Sequence, residues 1–180
     1  MGTFEDIIYF WFDELKPAQW WRADPVLDQT IAGRFGGLHA LAVAGGLKHW
    51  RRQSLGRLAE IIILDQFSRN LFRSTAKAFA ADALALELAM EAVTLNVQQA
   101  FTAHQKAFLY MPFMHSESGT VQQLSVTLFG EPGLEASLRS ALRHKAIIDR
   151  FGRYPHRNAV LNRESTLQEL EFLEQPGSSF

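Results

Sequence analysis

Asp24-Pro25-Val26-Leu27-Asp28-Gln29-Thr30-Ile31-Ala32-Gly33-Arg34-Phe35-Gly36-Gly37-Leu38-His39-Ala40-Leu41-Ala42-Val43-Ala44-Gly45-Gly46 is the stretch that decides the fold. Asp24 suits a helix N-cap, and Pro25 fits the first turn, where its missing N–H costs nothing. Leu27, Ile31, Phe35, Leu38 and Ala42 recur at spacings of four, four, three and four, the period of one helical face. Gly45-Gly46 supplies residues that tolerate the left-handed dihedrals of a helix stop.

The same pattern repeats along the chain, with almost no strand signal. Thr3 and Asp6 form an acidic capping arrangement ahead of Ile7, Phe10, Trp11 and Leu15. Ser54 is expected to cap a third helix carrying Leu55, Leu58, Ile61, Ile62 and the Asp65-Gln66 pair, followed by a compact Arg-rich connection, Phe67 to Arg73. Phe79 to Val97 is rich in strong helix formers. Thr102 opens a helix toward Pro112; others are expected at Thr120–Phe129 and Gly133–Phe151, the latter stopped by Gly152. A capping box, Thr166 to Glu169, opens the last, which Pro176-Gly177 closes. The expectation is an all-α protein of about eight helices in antiparallel pairs, a single helical domain over residues 1–180. No convincing period of about 34 residues emerges.

The 180 residues are 47% hydrophobic and 21% charged, ordinary for a globular domain. Eighteen Lys and Arg against nineteen Asp and Glu give a formal net charge of -1, which argues against a dedicated nucleic-acid binder. Cysteine is absent, which excludes disulfides, thiolate nucleophiles and Cys-ligated metal. The longest uncharged run, Ala92 to Gln105, is too short and polar to span a bilayer. The acidic N-terminus lacks the basic region of a signal peptide, and Asp6 stands where a myristoylation signal wants Ser or Thr. A soluble, cytoplasmic protein without membrane partners is expected.

Five ordered motifs of mixed aromatic and charged residues carry a resemblance. They are Asp65-Gln66-Phe67-x-Arg69-Asn70-x-Phe72-Arg73, Ala78-Phe79-Ala80-Ala81-Asp82, Phe108 to Glu117, Arg150 to Asn158, and Ser165-Thr166-x-x-Glu169-x-x-Phe172-Leu173. Phe10-Trp11-Phe12 and Trp20-Trp21 fit as well. Together they resemble the bacterial domain-of-unknown-function family 924 over nearly the whole chain, with Asp149 where the family pattern has Glu. The resemblance implies an all-α, tetratricopeptide-like superhelix and transfers no catalytic role.

Several constellations bear chemistry. Asp65, read as lying in the last turn of a helix, faces the unfavourable end of the macrodipole, and Arg69 and Arg73 are within local reach. With Asn70 they form either an ion-pair corner or a guanidinium pair able to grip a carboxylate or phosphate. His115-Ser116-Glu117 offers a base, a hydroxyl and a carboxylate at a helix end, or simply caps; it fits neither a G-x-S-x-G elbow nor a zincin helix. Arg143, Lys145, Arg150, Arg153, Arg157 and Arg163 stand against the single acid Asp149, ahead of an acidic tail with Glu164, Glu169, Glu171 and Glu174. His144 lies on an apolar stripe with Leu134, Leu138, Ala141, Ile148 and Phe151, which favours a hydrogen-bonded core residue. Pro155 stiffens the run Arg153-Tyr154-Pro155-His156-Arg157-Asn158, either as a polar site or as a pin for the last helix through Glu164, Glu169 or Glu171. Of Trp20 and Trp21, one is expected to be part-exposed.

The candidate ligand-binding residues are therefore Asp65, Arg69, Asn70, Arg73, His115, Glu117, Arg153, His156, Arg157 and Asn158, with no metal and no cofactor implied. Two functions fit: a binding module whose Arg, His and aromatic residues hold an anionic small molecule or peptide, and a hydrolase- or lyase-type enzyme with His115 or His156 as general base. A third possibility is that the motifs only pack helix corners.

Overall fold

The computed structural model describes residues 2–179. Helix α1 (Phe4–Tyr9) opens on the Thr3–Asp6 capping box and runs directly into a π-helical turn, Phe10–Glu14. In α2 (Pro25–Val43) the Asp24 carboxylate accepts the Val26 and Leu27 amides, and Leu27, Ile31, Phe35, Leu38 and Ala42 are all buried, as their spacing requires. Gly45 takes a left-handed φ of 74° just past its end. Helices α3 (Ser54–Ile62) and α4 (Ser68–Leu71) are joined by a second π turn, Ile63–Phe67. Beyond them come α5 (Asp82–Thr94), α6 (Ala103–His115), α7 (Gly119–Phe129), α8 (Glu135–Phe151) and α9 (Leu167–Leu173). Because α4 continues α3, these stretches make eight rods, and no strand is present among the described residues.

The expected connection Phe67 to Arg73 is instead mostly helix. Phe67 is fully buried against the rings of Phe10, Trp11 and Phe35, and that packing carries the helix through polar residues whose composition suggests a loop. Ser54 is the first helical residue, and no side chain caps that end. Helix α5 is shorter than Phe79 to Val97: 3-10 turns at Ala76–Phe79 and Val97–Ala100 flank it, and Asn96, at φ 55°, breaks it. Pro112 lies inside α6 without stopping it. Gly152, at φ 71°, ends α8, and the Thr166–Glu169 capping box opens α9.

One contiguous core reaches from Ile7 to Ala141, with Trp11, Phe67 and Phe108 near its centre. Successive helices α5, α6, α7 and α8 each pack on the next. A satellite cluster, Ile147, Ile148 and Tyr154 with Phe151 and Phe172, docks the C-terminal segment. Trp20 is half-buried and donates Nε1–H to the Trp11 carbonyl, while Trp21 is 61% exposed. No helix of the described residues is long and apolar enough to cross a membrane.

The entry to α3 depends on a close approach. A Cβ on Gly56 would lie 2.2 Å from the Trp50 carbonyl oxygen. Gly56→Ala is expected to destabilise the protein by about 1–3 kcal/mol, the usual range for overpacking, and urea denaturation checks it.

Candidate functional site

The π turn Ile63–Phe67 places Asp65 and Gln66 in the interior rather than near a helix end, so burial, not the macrodipole, is what the Asp65 carboxylate must overcome. Its Oδ1 lies 2.6 Å from Nδ1 of His115, and its Oδ2 accepts the Gln66 amide at 2.5 Å. Arg69, one turn on, stands 3.3 Å from Oδ1 and donates to the Asp65 carbonyl at 2.7 Å. Burial opposes the charge on Asp65, but Arg69, His115 and Gln66 together hold its carboxyl well below the usual range. His115 is pushed down by burial and then by Arg69, which outweigh the pull of Asp65. At neutral pH the pair is a carboxylate and a neutral imidazole. An ionised carboxylate only accepts, so His115 Nδ1 carries the proton and Nε2 the lone pair.

Arg69 also forks onto Asp82, at the start of α5, with bonds of 2.9 and 3.0 Å. Arg157 reaches the same carboxylate at 3.4 Å and donates to the His115 carbonyl at 3.0 Å. Its guanidinium is held between the rings of Phe79 and Tyr154, 4.5 and 4.6 Å from their centroids. Glu117 accepts the Tyr154 amide at 2.8 Å and a two-pronged contact from Arg163 at 2.7 and 3.0 Å. Above this cluster opens a cavity of about 400 Å³. Asp82, His115, Ser116, Glu117 and Arg157 form its polar side, while Phe79, three alanines, Leu86, Pro112 and Leu161 form the other.

Asp65, Arg69, His115, Glu117 and Arg157 are thus brought together from three parts of the chain. Asn70 and Arg73 are not: both bind Asp28 of α2, at 2.8 Å each. Arg153 forks onto Glu169 at 2.7 and 2.8 Å and also binds the Glu164 carbonyl, so it fastens α9. Asn158 braces the loop, accepting from Arg163 and donating to Ser165. His156 is half-buried beside Tyr154 and does not line the cavity. His144 is buried with Nδ1 on the Ser140 carbonyl, in contact with the His115 ring. Ser116 keeps a local role, accepting the Ser118 amide, whereas Glu117 caps nothing and reaches across to the C-terminal loop.

Asp82, Phe79, Tyr154 and Arg163 belong to the site and are missing from the candidates read from sequence. Asp82 and Phe79 stand in a quoted motif, and Arg163 in a basic stretch with too few local acids; that imbalance is the signal that a distant carboxylate must exist. Among the described residues, no group of three or more His, Asp or Glu is placed to hold a metal ion.

The molecule is therefore an all-helical protein with a buried carboxylate–imidazole pair whose histidine lines a cavity. Residues 7–177 match the family described as a bacterial protein of unknown function (DUF924), and the chain belongs to it. A solved structure of a protein of unknown function from Agrobacterium tumefaciens is 37% identical, with a TM-score of 0.91 over 95% of this chain and 96% of that one. No curated protein matches.

Burial holds His144 down to about 3 and His156 to about 4, with nearby charges adding to the effect. The unfolded chain takes up these protons near pH 6.5, whereas the folded one does not, so their contribution is intact above that pH and is lost as pH falls toward the folded values. Calorimetry is expected to show the thermal midpoint dropping steadily from about pH 6.5 to 4. A flat profile over that range contradicts the burial of these rings.

Proposed function

We propose that the cavity is a small-molecule site of hydrolase or lyase type in which His115 is the general base. The observation that carries this is the 2.6 Å contact between Asp65, fully buried, and His115, which lines the cavity. The carboxylate fixes the ring's orientation and tautomer and stabilises the imidazolium that forms when Nε2 takes a proton from water or substrate. Arg157, whose guanidinium donates to the His115 carbonyl, contributes a fixed positive charge to the cavity wall. The proton then returns to the leaving group.

As a simple receptor for anions, the cavity is less well supported. Arg69, Arg157 and Arg163 each contact a protein carboxylate, leaving no arginine of the cluster uncommitted. The successive packing of α5 to α8 supports viewing this half as a tetratricopeptide-like stack with the cavity at its edge.

Histidine-selective nitrogen NMR at pH 7 tests the base directly. The expected signature for His115 is a protonated Nδ1 and a bare Nε2; a doubly protonated ring at that pH removes the proposal. In a panel of esters, amides, phosphate esters and substrates open to elimination, His115→Ala is expected to lower kcat by about 10²–10⁴-fold on whichever substrate turns over. Asp65→Asn should cost a large share of that loss. An unchanged rate in His115→Ala likewise rules the base out.

A further inference from the structure

We infer that the cavity binds a small cation, a primary amine or amidinium attached to a short apolar body. This deepens the proposed site and rests on it only in counting the bare nitrogen of His115 as an acceptor.

The polar side of the cavity offers acceptors far more than donors. Asp82 and Glu117 have side chains 18% and 27% exposed, against 6% for Arg157. Both terminal nitrogens of Arg157 are engaged, two rings flank its guanidinium, and its Nε is buried with no hydrogen-bond partner. Arg69 and Arg163, which balance the two carboxylates, do not line the cavity. With His115 neutral, the lining itself carries two carboxylates and one covered guanidinium. A carboxylate has about four lone-pair positions, and Glu117 accepts three donors here, so each acid retains capacity for a ligand N–H. An incoming anion would instead lose water to face two like charges.

The opposite wall fixes the rest of the ligand. Ala76, Ala80 and Ala83 are exposed methyl groups, and Leu86 and Pro112 continue the surface, so an apolar body of a few carbons covers them. A volume of about 400 Å³ sits at the small end of ligand cavities.

The test is a titration of the full-length protein at pH 7 with butylamine, butyramidine, butyramide, butyrate and butyl phosphate, followed by NMR. Saturable binding of the amine or amidine, at least about tenfold tighter than butyrate or butyl phosphate, is expected, weakening as salt is raised. Butyrate or butyl phosphate binding as tightly as the amine, or no saturable binding of either cation, overturns the inference. Glu117→Gln should weaken the amine about tenfold. Ala83→Leu fills the cavity from an exposed position without touching an ion pair: amine binding should vanish while the thermal midpoint stays put. Undiminished binding in Ala83→Leu places the cation elsewhere and also overturns the inference. His115→Asn separates the two ideas, because amine binding should survive there within about threefold even though the base is gone.

Discussion

A single carboxylate, buried in the middle of a helical rod, sets the terms for much of the structure. Asp65 is 1% exposed, and an ion so far from water persists only if its lone pairs and its charge are met on all sides. Gln66, Arg69 and His115 meet them. Arg69 is then itself a charge requiring compensation, which Asp82 provides, and Asp82 draws in Arg157. The chain of obligations runs from the rod of α3 and α4 through α5 and α6 to the loop after α8. The contacts that hold these elements in register end on Asp82, His115 and Arg157, which line the cavity.

The basic stretch from Arg143 to Arg163 illustrates how a formal charge can mislead. Almost all of it is consumed within the molecule: Lys145 on Asp149, Arg153 on Glu169, Arg157 on Asp82, Arg163 on Glu117, and Arg150 over the rings of Phe151 and Phe172. Arg153 holds the Glu169 carboxyl down to about 2, so the tie to α9 persists through mild acid. The near-neutral total reflects pairing at close range rather than two opposed surfaces.

The helices were legible because their determinants are local. Asp24, Thr102 and Thr166 cap where their sequence positions indicate, and the apolar stripe of α2 is buried residue for residue. The helix through Phe67 and Ser68 was not legible, because three aromatic rings from elsewhere in the chain stabilise it. The site divides the same way. Arg69 lies within a turn of Asp65, and its role could be anticipated; Arg73 lies another turn on and is captured by Asp28, 45 residues earlier. Which of two neighbouring arginines joins the site depends on partners that no local spacing encodes.

The longest of these ties carries a consequence for how the chain acquires its form. Asp82 and Arg157 are 75 residues apart, and Glu117 and Arg163 are 46. Closing such loops costs entropy before the contacts return anything, whereas the core from Ile7 to Ala141 needs neither pair. The scaffold is thus free to condense first, and the cavity wall is completed only when the segment after Gly152 swings in and lays Arg157 between its two rings. A chain without residues 151–180 keeps every residue of the main core but lacks Arg157 and Leu161, and with them one wall of the cavity.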